Sequence, residues 1–168
     1  MPDASDSKPR ADTSPQSPRI DPWLGFAISK LGVYEAPGAA DNPSVVAFHG
    51  ATRGGEAPDS VPWCSSFANW CFLAAGISGT RTKRARDWVE KPPKGFVVSL
   101  GANLDHARLG DVVVLRRGSN PNQGHVTFFF GHAAQKGFLG LGGNQGNEVG
   151  VDRYLVTRVL GYVRYVGE

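Results

Sequence analysis

Asp59-Ser60-Val61-Pro62-Trp63-Cys64-Ser65-Ser66-Phe67-Ala68-Asn69-Trp70-Cys71-Phe72 reads as a cysteine placed in the first turn of a buried helix. Pro62 is tolerated there, because an amide proton at a helix start has no helical partner to lose. Beyond it Cys64, Phe67, Ala68, Cys71 and Ala75 recur on one helical stripe, and Gly76 ends the run. A thiol at a helix mouth meets free amide protons and the positive end of the dipole, and both stabilise a thiolate. A cysteine among aromatics can equally be a small core residue. The rest of the chain has to decide between the two.

Upstream, Asp21-Pro22-Trp23 opens a helix with Asp as the cap, Pro at its first position and Trp23, Phe26, Ala27 and Leu31 on one face, stopping at Gly32. A second short helix is expected from Asn42-Pro43 to Phe48, followed by a loop rich in Gly and charge from Arg53 to Ser60. Downstream, Lys83 to Val89 reads as a further short helix, ended by Pro92-Pro93. From Gly110 the period changes. Val112 to Leu115, His125 to Phe130, Phe138 to Leu141, Tyr154 to Val156 and Val159 to Val166 are β-branched or aromatic runs broken by Gly, Asn and Pro. Helices first and strands afterwards make an α+β fold, N-terminal helices packed on a C-terminal antiparallel sheet of about five strands. There is no internal repeat.

The second and third of these strands form a hairpin whose turn falls within residues 132–137. Centred between Ala134 and Gln135, it sets His125 opposite Asn144, about 5 Å apart on one face. Val126 then faces Gly143, Phe128 faces Leu141 and Phe130 faces Leu139 as an apolar stripe, while Thr127 faces Gly142 and Phe129 faces Gly140 on the His125 side. Glycines in a strand commonly mark close approach of another backbone, so the helix that starts at Cys64 is expected against Gly140 and Gly142. A thiol, an imidazole and an amide would then stand in one row as nucleophile, general base and orienting group. A slip of one residue in register would put Gln145 in the place of Asn144. Taken alone, His125 could also be a strand-end histidine bonded to a nearby carbonyl.

Asp59 to Phe72, Gly110-Asp111-Val112-Val113, Gly124-His125-Val126-Thr127-Phe128 and Leu141-Gly142-Gly143-Asn144-Gln145, in this order and at these distances, resemble a CHAP or NlpC-like cysteine peptidase domain. These are papain-like peptidoglycan hydrolases and amidases, and the resemblance runs from Trp23 to Val166. It implies a papain-like fold, Cys64 as nucleophile, His125 as base, Asn144 as the third polar residue, and attack on an amide carbonyl of the wall peptide through a thioester. Papain-type enzymes carry an oxyanion Gln shortly before the nucleophile, and no Gln stands between Trp23 and Cys64. The Cys64 amide can serve as one donor. Trp63, Trp88 and Asp59 are candidate groove residues. The alternatives are a thiol hydrolase, deamidase or acyltransferase acting on a protein, and a wall-binding module of the same fold without catalysis.

Size and composition agree with one catalytic domain. A chain of 168 residues, 40% hydrophobic, suits one core over residues 21–168, and residues 1–20, mostly Ser, Pro, Asp and Ala, read as a disordered tail. A monomer is expected. Cys64 and Cys71, two turns apart on one helix, stand about 10 Å apart, too far for a disulfide or a shared zinc. On an extended strand His125 and His132 stand about 23 Å apart. No cofactor and no metal is expected. The net charge of +3 suits an anionic polymer such as cell wall, and the basic run Arg81, Lys83, Arg84, Arg86 reads as a solvated helix face rather than a nucleic-acid site. With no membrane span and no apolar signal segment in the sequence, synthesis in the cytoplasm and action in the periplasm or at the wall are expected. That requires export or an opened membrane, as for a phage lysis enzyme released through a holin or a secreted antibacterial effector paired with an immunity protein.

Overall fold

The computed structural model describes residues 19–167. The expected tail lies outside the described residues except for Arg19 and Ile20, which carry no regular element. Four helices come first: α1 (Pro22–Ile28), α2 (Pro43–Gly50), α3 (Cys64–Ala74) and α4 (Asp87–Glu90). Asp21 caps α1 in an extended conformation with Pro22 next, and the helix buries Trp23, Leu24 and Ala27 while Phe26 and Leu31 stay exposed. The Trp23 indole donates to the Gly110 carbonyl at 2.9 Å, pinning α1 to the segment that leads into β2. At the start of α2 the Asn42 side chain accepts from the Ser44 N–H at 2.9 Å, satisfying a donor that the helix itself cannot. Helix α3 begins at Cys64 and buries both its apolar stripe and Ser65, Ser66 and Asn69.

The helix expected from Lys83 shrinks to α4 because α3 captures the preceding backbone. Asn69 accepts from the Arg81 N–H at 2.6 Å and donates to the Thr82 carbonyl at 3.2 Å, and Ser65 Oγ donates to the same carbonyl at 2.7 Å. Main-chain groups committed to these side chains cannot close a helical turn.

Six strands make one antiparallel sheet: β1 (Phe96–Leu100), β2 (Val112–Arg116), β3 (Gly124–Ala133), β4 (Gly137–Gln145), β5 (Glu148–Leu155) and β6 (Val159–Tyr165), in the order β1-β6-β2-β3-β4-β5. Strands β2 to β5 form the expected meander, and β6 returns to lie between β1 and β2. On one face α3 packs Phe67 and Phe72 against Val112, Val114, Val126, Phe128 and Leu141. The other face, with Val113, Leu115, Phe129 and Phe138, is covered by the segment around Leu104.

The hairpin register matters most. Phe128 faces Leu141 and Phe129 faces Gly140, but a bulge then sets Leu139 opposite Gly131 rather than Phe130. Toward the site the β3–β4 pairing stops at Phe128 and Leu141, so Val126 and Gly143 are not paired. A second irregularity falls in β4 between Gly142 and Gln145, where Asn144 has φ +56°.

Candidate active site

Where β4 leaves β3, the first residue of α3 comes in. The Cys64 thiol lies near the His125 imidazole and the backbone amides of Val126 and Ser65, close enough for each to act on its ionisation. Burial pushes the thiol up, and the bond to His125, its charge and the two amides outweigh burial, so the thiol lies below its ordinary value. On His125 burial pushes down, while the bond and charge of Cys64 and the Gln145 amide push up, for a net rise. Opposite shifts on the two groups favour passage of the thiol proton to the imidazole.

The second ring nitrogen is held by a network with one direction. His125 Nε2 lies 3.1 Å from Gln145 Oε1. Gln145 Nε2 donates to the Gly140 and Gly150 carbonyls at 3.0 and 2.9 Å, which turns its own carbonyl oxygen toward the imidazole. An acceptor at Nε2 requires the hydrogen there, and Nδ1 is left to exchange a proton with the thiol. The Tyr154 hydroxyl, 3.2 Å away, shares the same nitrogen. Burial and Asp152 push the Tyr154 phenol up, so it stays neutral beside the imidazolium.

The side chain that meets the His125 ring is thus that of Gln145, not Asn144. The left-handed conformation of Asn144 inserts an extra residue into β4, and every side chain after a bulge changes face. The glycines are reassigned for a different reason: α3 covers the Val126, Phe128 and Leu141 face of the sheet, not the His125 face. A Cβ on Gly143 would lie 2.6 Å from the Trp63 ring and 2.7 Å from Phe67 Cβ, so Gly143 is where α3 lies against the sheet. Gly140 and Gly142 instead make room for side chains of the His125 row, since a Cβ would stand 2.5 Å from Thr127 Oγ1 and 2.6 Å from Gln145 Oε1 respectively.

Residues 56–137 match the CHAP domain family, and this span includes Cys64 and His125. Over these residues the chain is similar to CHAP domains. Its fold is similar to that of endolysin LysIME-EF1, with a TM-score of 0.58 at 16% identity over 89% of this chain and 65% of that one. It is also similar to Ly7917, with a TM-score of 0.50 at 15% identity over 88% of this chain and 62% of that one. The chain therefore spans just under two thirds of either structure. Among curated proteins no sequence matches it.

The groove residues expected from the sequence are not at the surface. Trp63 is 0% exposed, packed with Phe48 and Phe67, and its indole donates to Glu35 Oε1 at 2.9 Å. Trp88 is likewise 0% exposed and donates to Ser65 Oγ at 3.1 Å. Both rings have their polar edge satisfied inside, which lets a large aromatic be buried completely. Asp59 is buried too and accepts from the Asn42 and Ala36 amides at 2.9 and 2.7 Å. Those bonds hold its carboxyl below the usual range, and it braces the entry to α2 rather than a substrate.

An open cleft of 340 Å³ does reach Cys64, lined also by Lys83, Arg84, Arg117, Gln123 and Gly124. The basic run read as a helix face is one of its walls. Tyr154 has no motif to announce it, but the turn at Gly146-Asn147, both with positive φ, is a readable hairpin signal that brings β5 back beside β4. Among the described residues no helix is long and apolar enough to cross a membrane.

Proposed function

We propose that this chain is a peptidoglycan hydrolase that cleaves an amide bond of the wall peptide with Cys64 as nucleophile. The observation that carries the reading is the Cys64 and His125 pair, with Gln145 on the ring, beside an open cleft, and the match of residues 56–137 to the CHAP family supports it. The likeness to an endolysin fold supports it.

The thiolate attacks the amide carbonyl carbon, and the Cys64 N–H, without a helical partner in the first turn, donates to the developing oxyanion. Collapse of the tetrahedral intermediate breaks the carbon–nitrogen bond. His125 passes its Nδ1 proton to the departing amine, leaving a thioester. Water, deprotonated by the now neutral imidazole, adds to the thioester and expels the thiolate, which restores the ion pair. Gln145 keeps the hydrogen on Nε2 throughout.

The bond cut is either the sugar–peptide amide, making the protein an N-acetylmuramoyl-L-alanine amidase, or one within the stem or bridge, making it an endopeptidase. The biological setting is a phage lysis enzyme or a secreted antibacterial effector. Purified protein should clear a suspension of purified sacculi, and Cys64→Ala should be slower by about a thousandfold or more. Mass spectrometry of the released fragments reads the new amine and so names the bond. Equal clearing by both proteins would remove Cys64 from the chemistry and end the reading.

A further inference from the structure

The cleft beside Cys64 has three cationic side chains on its walls, Lys83, Arg84 and Arg117, and no Asp or Glu. They are not equivalent. Arg84 is committed outside the cleft, bonded to Asp87 Oδ1 at 2.7 Å and to Glu90. Lys83 Nζ donates to the Gly55 carbonyl at 2.9 Å, which fixes the ammonium in place without neutralising it. Arg117 is exposed and forms no ion pair among the described residues. Arg86 Nε donates to the Gln123 carbonyl at 2.7 Å and ties the two walls together. Two cations with no ion-pair partner among the described residues thus line one cleft, and an anion seated there would meet both.

We infer that this cleft is an anionic subsite in which Lys83 and Arg117 hold a carboxylate of the substrate beside the amide that Cys64 attacks. Charge-assisted hydrogen bonds to such a carboxylate position the scissile carbonyl over the sulfur. Arg117 also stands near enough to oppose the charge on His125, so a bound carboxylate supports the imidazolium that the reaction needs, and a neutral substrate does not. The inference rests on the hydrolase reading for the polymer that carries the carboxylate. The preference for an anion belongs to the cleft itself.

Two measurements keep these apart. Cys64 is alkylated with iodoacetate, which is anionic, and with iodoacetamide, which is neutral and nearly the same size. The ratio of the two rates, which cancels any change in the thiol, should exceed that of a free thiol and fall as salt is added. In the double variant Lys83→Gln with Arg117→Gln the ratio should drop by about tenfold, the factor that ~1.4 kcal/mol represents. Lys136→Gln, an exposed charge at the tip of the β3–β4 hairpin, should leave it unchanged. A ratio that does not respond to the double variant, or that falls as far in Lys136→Gln, overturns the inference.

In the second measurement, sacculi with free carboxyls and sacculi with amidated carboxyls are digested side by side. The wild type should cut the amidated wall about tenfold more slowly, and the double variant should cut both at one rate. Cleavage of both walls by the wild type at one rate overturns the substrate carboxylate and leaves the hydrolase. Cleavage of neither, with the alkylation ratio as expected, ends the hydrolase reading and leaves the anionic subsite standing.

Discussion

Gln145 supports the imidazole only because Asn144, one residue earlier, adopts φ +56°. Asn tolerates that region better than almost any residue but Gly. The spacing of the hairpin makes Phe128 opposite Leu141 legible in the sequence, and extended regularly it would present Asn144 to His125. The bulge is what regular spacing cannot show, because its left-handed residue is Asn144 and the glycines around it read equally as close approach or as turn. Asn144→Gly should therefore keep the activity on sacculi, whereas Gln145→Ala should lower it by at least about tenfold, since the base loses the group that fixes its tautomer. Reversed effects would return the role to Asn144. The pH profile adds a sign. The Cys64 thiol lies below 9.0 and His125 above 6.5, so activity rises as the thiolate forms and falls as the imidazolium is lost. Gln145 is one of the groups that hold His125 up, so in Gln145→Ala the alkaline limb should move to lower pH while Cys64 remains the acid limb.

At the scale of elements, α3 is where packing becomes chemistry. Its start is held by the Trp63 and Phe67 contacts over Gly143 and by the Asn69 and Ser65 bonds to the 80–82 backbone. The glycine-rich run of β4 was legible as a place of close approach. Which glycine receives the helix was not, because that depends on which face of the sheet α3 covers, and it covers the one with Val126, Phe128 and Leu141. The capture of Arg81 and Thr82 by Asn69 is equally hidden, since a polar residue in a helical run looks like a solvent face. Gly143→Val should destabilise the fold by about 1–3 kcal/mol through overpacking and reduce wall cleavage by displacing the first turn of α3. Thermal unfolding alongside clearing of sacculi checks both. An unshifted midpoint with full activity would mean that the helix does not depend on that contact.

In the molecule as a whole, helices-then-strands order was readable because the hydrophobic period changes near Gly110. Edge strands were less so. β1 is five residues long with Val97 and Leu100 exposed, and β5 interleaves Val with Gly and charge, as edges do to discourage pairing with other chains. The cleft joins segments distant in sequence, 83–84 and 117–124, and no local pattern announces such a meeting. The same is true of the central contact, in which a helix start from the first half of the chain meets a strand from the second. The most direct test is the pH dependence of alkylation of Cys64 by iodoacetamide, with the buried Cys71, which burial pushes well above the ordinary thiol range, as the internal reference. The expected result is that Cys64 reacts with a midpoint well below that of an ordinary thiol while Cys71 stays silent, and that His125→Ala moves the Cys64 midpoint up. A Cys64 midpoint at the ordinary value, unmoved by His125→Ala, would contradict the pairing of thiolate and imidazolium.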